Sequence, residues 1–432
     1  MSSARKVAVI GGGYAGFAAA VELARHNVPV TLFEAAKQLG GRARRVEHQG
    51  HELDNGQHIL IGAYQETLRL MALVGVDTED TLLRLPLEFD LPGRFHLKTA
   101  PLPAPLHLAW GLLTATGLMW SERLSAARFI HALRKQRFKL PEDITVAALL
   151  EQHRQSEHTI QLLWSPLCLA ALNTPVDTAS AQVFLHVLRD SLNGKRQASD
   201  ILLPRTDLSR LFPDPAAAFI EKHGGAVLRN TAIRAIEKSQ AGYSLLTDND
   251  RLNFTGVICA VPPSRVSQLF SALPELSVAA SLAENFRFQP ICTVYLQYPT
   301  HVRLPKPMIG FADGFAQWAF DRGQLHNTPG LIAVVISAAG KHTDISHEQL
   351  AERIHMELCN AIGTHPAPLL HKVITEKRAT FSCDAGLVRP RQDTSLRNLF
   401  LAGDYTEGDY PATLEGAIRS GVKSAKLFLE LR

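Results

Sequence analysis

The sequence predicts an α/β protein: a parallel-sheet domain assembled from discontinuous segments, with an α+β region of antiparallel sheet and helices inserted between them. Three observations carry that prediction. Near the N-terminus a strand, a glycine-rich turn, a helix and a second strand ending in an acid follow one another. At the far end an apolar strand ends in Gly-Asp and leads into an amphipathic helix. Between them lie a mainly helical block and a block of strand-like runs.

Residues 6–10 read as a short buried parallel strand, because they are almost continuously apolar. Gly11, Gly13 and Gly16 then satisfy G-x-G-x-x-G, with Tyr14 and Ala15 between the last two. Residues 17–25 read as a helix of strong formers, and residues 28–33 as a second strand closed by Glu34. Each glycine has its own physical reason. Gly11 permits the tight turn, Gly13 lets the backbone approach a pyrophosphate, and Gly16 lets helix and strand pack closely. Free N–H groups and the dipole at the helix start favour the anion. Glu34 lies where an acidic side chain grips a ribose hydroxyl. The unit predicts a Rossmann-like site for an adenine dinucleotide and by itself leaves NAD and FAD open.

Composition bounds the rest. The chain has 432 residues, 46% hydrophobic and 20% charged, which supports a full core and excludes a disordered chain. Net charge is +4, from 45 basic against 41 acidic residues, with no block of like charge, so no nucleic-acid partner is expected. Cys168, Cys259, Cys292, Cys359 and Cys383 are scattered and form no CxxC pair. Neither a zinc knuckle nor a disulfide framework is predicted, and isolated thiols fit a reducing cytoplasm. Residues 1–5 are polar, and the apolar run after them is too short for an export signal.

The segment Leu39-Gly40-Gly41-Arg42, directly after the acid, resembles the second fingerprint of the FAD-dependent amine oxidase and phytoene desaturase superfamily. Asp54-Asn55-Gly56-Gln57-His58 resembles its D-x-G segment, and Ala260-Val261-Pro262-Pro263 its Ala-x-Pro-Pro strand end. Gly403-Asp404 with the helix at 413–431 resembles its C-terminal flavin motif. The resemblance implies FAD as cofactor. Gly41 and Arg42 would lie along the diphosphate and ribityl chain, Gly56, Gln57 and His58 near the flavin, and Asp404 at the ribityl or diphosphate region. Thr413 and Leu414 would open the helix that faces the flavin, and Ile233 would offer its backbone to adenine. A FAD-binding domain of residues 1–75, 216–276 and 384–432 is therefore expected. A helical region at 76–215 and an antiparallel sheet at 277–383, with strands at 291–298, 308–320, 331–337 and 372–380, form the substrate module.

From Thr99 to Ser121 there is no Asp, Glu, Lys or Arg, and Pro101, Pro103 and Pro105 forbid a regular helix at its start. The remaining run, 106–120, is shorter than a membrane-spanning helix needs and is followed by a basic stretch. Two readings stand: peripheral contact with the inner face of a cell membrane, or a buried roof over a substrate cavity.

Amine oxidases of this superfamily often carry a lysine near the flavin, on a strand of the substrate sheet. The matching stretch here, 289–296, has none. The segments 165–175, 290–296 and 403–405 resemble the narrower hydroxysqualene dehydroxylase group, with Tyr405 standing where that group leads one to expect tryptophan. This resemblance implies a reductive step in squalene and hopanoid biosynthesis, in which hydride passes from reduced flavin N5 to an allylic carbon of a long apolar isoprenoid and the hydroxyl leaves as water. A proton donor is then needed; His58 and Glu407 are the candidates, with Asn173 and Tyr405 as substrate contacts. Each has an ordinary reading beside this one: His58 a structural histidine, Glu407 an exposed loop acid, Asn173 part of an Asn-Thr-Pro turn. A carotenoid-type desaturase, an amine or protoporphyrinogen oxidase, and a non-catalytic flavin-binding scaffold are the competing readings. Nothing in the chain points to its electron donor.

Overall fold

A computed structural model describes residues 6–192, 194–240 and 242–431. The polar start at 1–5 lies outside them. Five parallel strands form the central sheet, in the order Ala226–Leu228, Val30–Phe33, Val7–Ile10, Gly256–Cys259, Leu399–Leu401. Each is short and apolar because both faces of the sheet are covered, one by the helices Tyr14–Arg25, Pro213–Lys222 and Leu414–Glu430 and the other by the antiparallel strands Ala235–Ser239, Gly242–Leu246 and Arg251–Phe254. The start, the middle and the end of the chain thus enter one sheet. Register aligns their carboxyl ends: Ile10 pairs with Phe33 and with Cys259, and Cys259 with Leu401. Gly11 and Gly403 therefore emerge at the same edge, where open α/β sheets bind ligands.

The helix Tyr14–Arg25 begins three residues earlier than the sequence suggests, directly at Gly13. Its small residues let it touch both the sheet and the last helix, Leu414–Glu430. A Cβ on Gly16 would lie 1.9 Å from the Gly11 carbonyl oxygen, and one on Gly421 2.1 Å from that of Ala15. Thr413 caps the last helix, its Oγ1 accepting from the Gly416 N–H at 3.1 Å.

The inserted sheet is antiparallel, in the order Met308–Gly310, Trp318–Asp321, Leu331–Ser337, Phe288–Gln297, Leu370–Phe381. The single strand expected at 308–320 is a hairpin, because the intervening residues, with a left-handed Gly314, turn back on themselves. The helix His347–Ile362 packs on one face of this sheet, and the other face turns toward the parallel domain. The block read as mainly helical also holds strands: Ile201–Pro204 pairs with Leu60–Ile61 and with Leu82–Leu85, and Glu88–Leu91 with Phe95–Lys98. Among the described residues no helix is long and apolar enough to cross a membrane.

Candidate active site

The glycine turn opens onto a helix start that no side chain caps and that has no acid in its first turn. A Cβ on Gly13 would meet nothing closer than the Gly41 Cα, 4.0 Å away. This is the open cradle that a diphosphate requires, beside N–H groups that attract it. The Gly40 N–H donates to the Gly12 carbonyl at 2.8 Å and holds the second glycine loop against the first. Glu34 Oε2 accepts from the Gly12 N–H at 2.7 Å and Oε1 from Ala36 at 2.7 Å, so its carboxylate is fixed at the end of its strand. The Tyr14 hydroxyl donates to the Leu208 carbonyl, and Ile233 is buried in the same apolar cluster as Phe33. These residues fit FAD.

Arg42 joins the two ends of the chain. Its Nη2 donates to Asp404 Oδ1 at 2.6 Å and its Nη1 to the Ala379 carbonyl at 2.7 Å. A single guanidinium therefore ties the second glycine loop, the Gly403-Asp404 turn and a strand of the substrate sheet.

The Asp54–His58 segment crosses to that sheet. The Tyr295 hydroxyl donates to the Asp54 carbonyl at 2.9 Å. A Cβ on Gly56 would reach Thr293 Oγ1 at 3.8 Å, and that hydroxyl is buried without a partner. The strand Phe288–Gln297 thus directs threonine, and no lysine, at the D-x-G segment. Asp54 Oδ2 accepts from Arg322 Nη1 at 3.0 Å and its Oδ1 from the Leu208 N–H at 2.9 Å; Gln57 Oε1 accepts from the same Nη1 at 3.2 Å. The ion pair is almost wholly buried, at 3% and 2% side-chain exposure. Burial lifts the Asp54 carboxyl above its ordinary range, against the opposing pull of Arg322 and the Leu208 N–H. His326, 3.4 Å from Arg322 Nη2, is pushed down to about 3 by burial and then by that cation.

His58 Nδ1 lies 3.1 Å from the Gly56 carbonyl, so it carries the proton and leaves Nε2 as an acceptor. Burial lowers its pKa and keeps the ring neutral at neutral pH. Tyr405 is buried with its ring over Gly403 and edge-on to Phe286; its hydroxyl has no partner, and burial raises its pKa well above the ordinary value. Glu407 is exposed on the surface. Asn173 is left-handed at a helix end, and its side chain is fully engaged: Nδ2 donates to Thr380 Oγ1 and the Pro290 carbonyl, while Oδ1 accepts from the Ala338 N–H. It ties two strands of the substrate sheet to the end of a third. Arg322, His326 and Thr293 have no local signal in the sequence; only the fold brings them to the site. Glu415, by contrast, stands next to the predicted helix start, and its buried carboxylate caps the helix Gln65–Leu73 through the Glu66 and Thr67 N–H groups.

A parallel-sheet dinucleotide site closed by its own C-terminus defines a flavoprotein oxidoreductase. The chain belongs to the family described as flavin containing amine oxidoreductase, which matches residues 14–429, and it is a FAD-dependent oxidoreductase. It is 28% identical over 443 residues to a hydroxysqualene dehydroxylase of Sinorhizobium fredii and 29% identical over 440 to one of Rhodopseudomonas palustris; each alignment covers 98% of both chains. A zeta-carotene desaturase of Arabidopsis thaliana is 24% identical over 473 residues, covering 96% of this chain and 84% of that one. The solved structure of a cyclohexylamine oxidase from Brevibacterium oxydans shares the fold, with a TM-score of 0.73 at 18% identity over 99% of each chain.

Proposed function

We propose that this enzyme removes the hydroxyl of hydroxysqualene and yields squalene. The observation that carries this reading is the end-to-end similarity to two hydroxysqualene dehydroxylases, with a carotenoid desaturase at lower identity. The site agrees with it: threonine faces Gly56 where an amine oxidase would be expected to offer lysine.

FAD, reduced and bound, supplies a hydride. The allylic C–O bond breaks, the oxygen leaves as water with one added proton, and a C–H bond forms in its place. An allylic cation is delocalised, so the bond yields once the oxygen is protonated and water is kept away from the carbon. What remains for the chain itself is to hold the hydroxyl and move that proton. His58 receives a proton at Nε2 and passes it to the departing oxygen. The Tyr405 hydroxyl keeps its own proton and donates a hydrogen bond to the same oxygen. Glu407, exposed, and Asn173, fully engaged, take no part. Arg42 and Asp404 hold the cofactor cradle, and Glu34 the ribose. In this reading the enzyme works in the cytoplasm, at the inner face of the membrane that stores its substrate.

The test is anaerobic. Holoenzyme is reduced and mixed with hydroxysqualene; oxidised flavin absorbance should return in step with squalene. Reduced holoenzyme that stays bleached, or oxidised holoenzyme that introduces double bonds into phytoene, would overturn the reading.

A further inference from the structure

The segment that periodicity leaves open is resolved by its faces. The helix Leu106–Thr114 buries only His107 and Gly111. Gly111 lies against the Lys98 carbonyl, and His107 Nε2 is 3.2 Å from Ser199 Oγ. Leu106, Trp110 and Leu113, at i, i+4 and i+7, point outward instead. After a break at Ala115, the helix Trp120–Lys135 turns Glu122, Ala126, Phe129 and Leu133 into the core. Its outer stripe is Trp120, Leu124, Arg128, His131 and Lys135. That stripe grades from apolar at its start to basic at its end.

Among the described residues, eleven large apolar side chains are exposed, and six of them fall between Leu106 and Leu124, at 42–65% exposure. Such concentration marks a contact surface. Charge specifies the partner. Between Asp90 and Glu142 the chain has one acid, Glu122, and it is buried against the Met119 N–H and the Ser156 hydroxyl. The exposed charged side chains of the helix Trp120–Lys135 and of the four residues after it are basic: Arg128, Lys135, Arg137 and Lys139. Apolar wedges beside these cations match a bilayer of anionic lipid, whose headgroups take the cations while its acyl region takes the tryptophans.

We infer that the helices Leu106–Thr114 and Trp120–Lys135 dock the enzyme on an anionic bilayer surface, with Trp110 and Trp120 inserted and the basic end at headgroup level. This deepens the proposed function, since a substrate as apolar as hydroxysqualene partitions into that phase. The docking test needs no substrate, so its outcome is independent of that reading. Holoenzyme is sedimented with vesicles of phosphatidylcholine, with or without an added anionic phospholipid. Binding is expected to the anionic vesicles, weakening with salt, with a blue shift of tryptophan fluorescence. Trp110→Ser with Trp120→Ser should lower partition at least about tenfold. Lys135→Gln and Lys139→Gln should lower it about fivefold each and flatten the salt dependence. An unchanged flavin spectrum and denaturation midpoint show that the variants fold. Absence of vesicle binding at low salt, or binding that neither variant weakens, overturns the inference. So does dimerisation of the wild type that the tryptophan variant abolishes, which would assign the surface to a second copy.

Discussion

Replacing Arg322 by methionine isolates what the buried ion pair does. Methionine retains much of the apolar stem but removes the cation 3.0 Å from Asp54. Asp54 keeps the Leu208 N–H and loses its only buried countercharge among the described residues. Its folded pKa already stands above the ordinary value and rises further in the variant. A carboxyl with a raised folded pKa favours the folded state at low pH and loses that contribution as pH rises through the folded pKa, so the deficit of the variant grows with pH. The cost is capped by keeping the carboxyl neutral, at about 1.4 kcal/mol per pH unit above an unfolded pKa of about 3.9. The ceiling is therefore about 4 kcal/mol at pH 7 and about 1.5 kcal/mol at pH 5, the former in line with the ~3–5 kcal/mol seen when one partner of a buried pair is removed. Urea denaturation of the holoenzyme at the two pH values measures it. Adding Asp54→Asn should abolish the pH slope. A pH-independent deficit, or one below about 1 kcal/mol at pH 7, would refute the reasoning.

Gly13→Ala should fold, since its Cβ has room, but bind FAD at least about tenfold more weakly; Gly16→Ala should not yield folded holoenzyme, because its Cβ meets the Gly11 carbonyl at 1.9 Å. Flavin content and far-ultraviolet circular dichroism of the two separate a cradle from a packing contact. Tyr405→Phe removes a buried hydroxyl without a protein partner, so stability should change by less than about 1 kcal/mol or improve, while single-turnover flavin oxidation by hydroxysqualene slows; an unchanged rate removes Tyr405 from the reaction. His58 has a lowered pKa, so the fraction able to donate a proton grows only as pH falls below the ordinary histidine value. Flavin oxidation should accelerate toward acid pH, and His58→Gln should erase that limb in stopped-flow traces.

The parallel domain was legible because its constraints are local. Glycines at fixed spacing, an acid at the end of the next strand, and Gly-Asp before the last helix each impose backbone chemistry that needs no distant partner. The substrate side was less legible for the opposite reason. Arg322 meets Asp54 across 268 residues, and Thr293 meets Gly56 only because a strand of another sheet arrives there. Composition cannot announce such pairs. Asn173 carries two readings in the sequence, and its left-handed helix end with three hydrogen bonds inside the protein agrees with the turn reading. The hairpin at 308–321 was missed because its two short strands and the turn between them read as one extended run.

The apolar run at 99–121 marks where pattern alone stops. Periodicity reports that one side of a helix is apolar and cannot say which side the protein covers. Ordinarily the apolar stripe is the buried one. Here the helix Leu106–Thr114 buries a glycine and a histidine, half-buries Leu108 and Leu112, and exposes Leu106, Trp110 and Leu113. Leu106, Trp110 and Leu113 are 47–56% exposed, so covering the rest of each would add about half of a full burial, about 3 kcal/mol for the three. Water is a poor explanation for such a surface. Docking on a bilayer, as inferred above, would cover what the fold leaves outside.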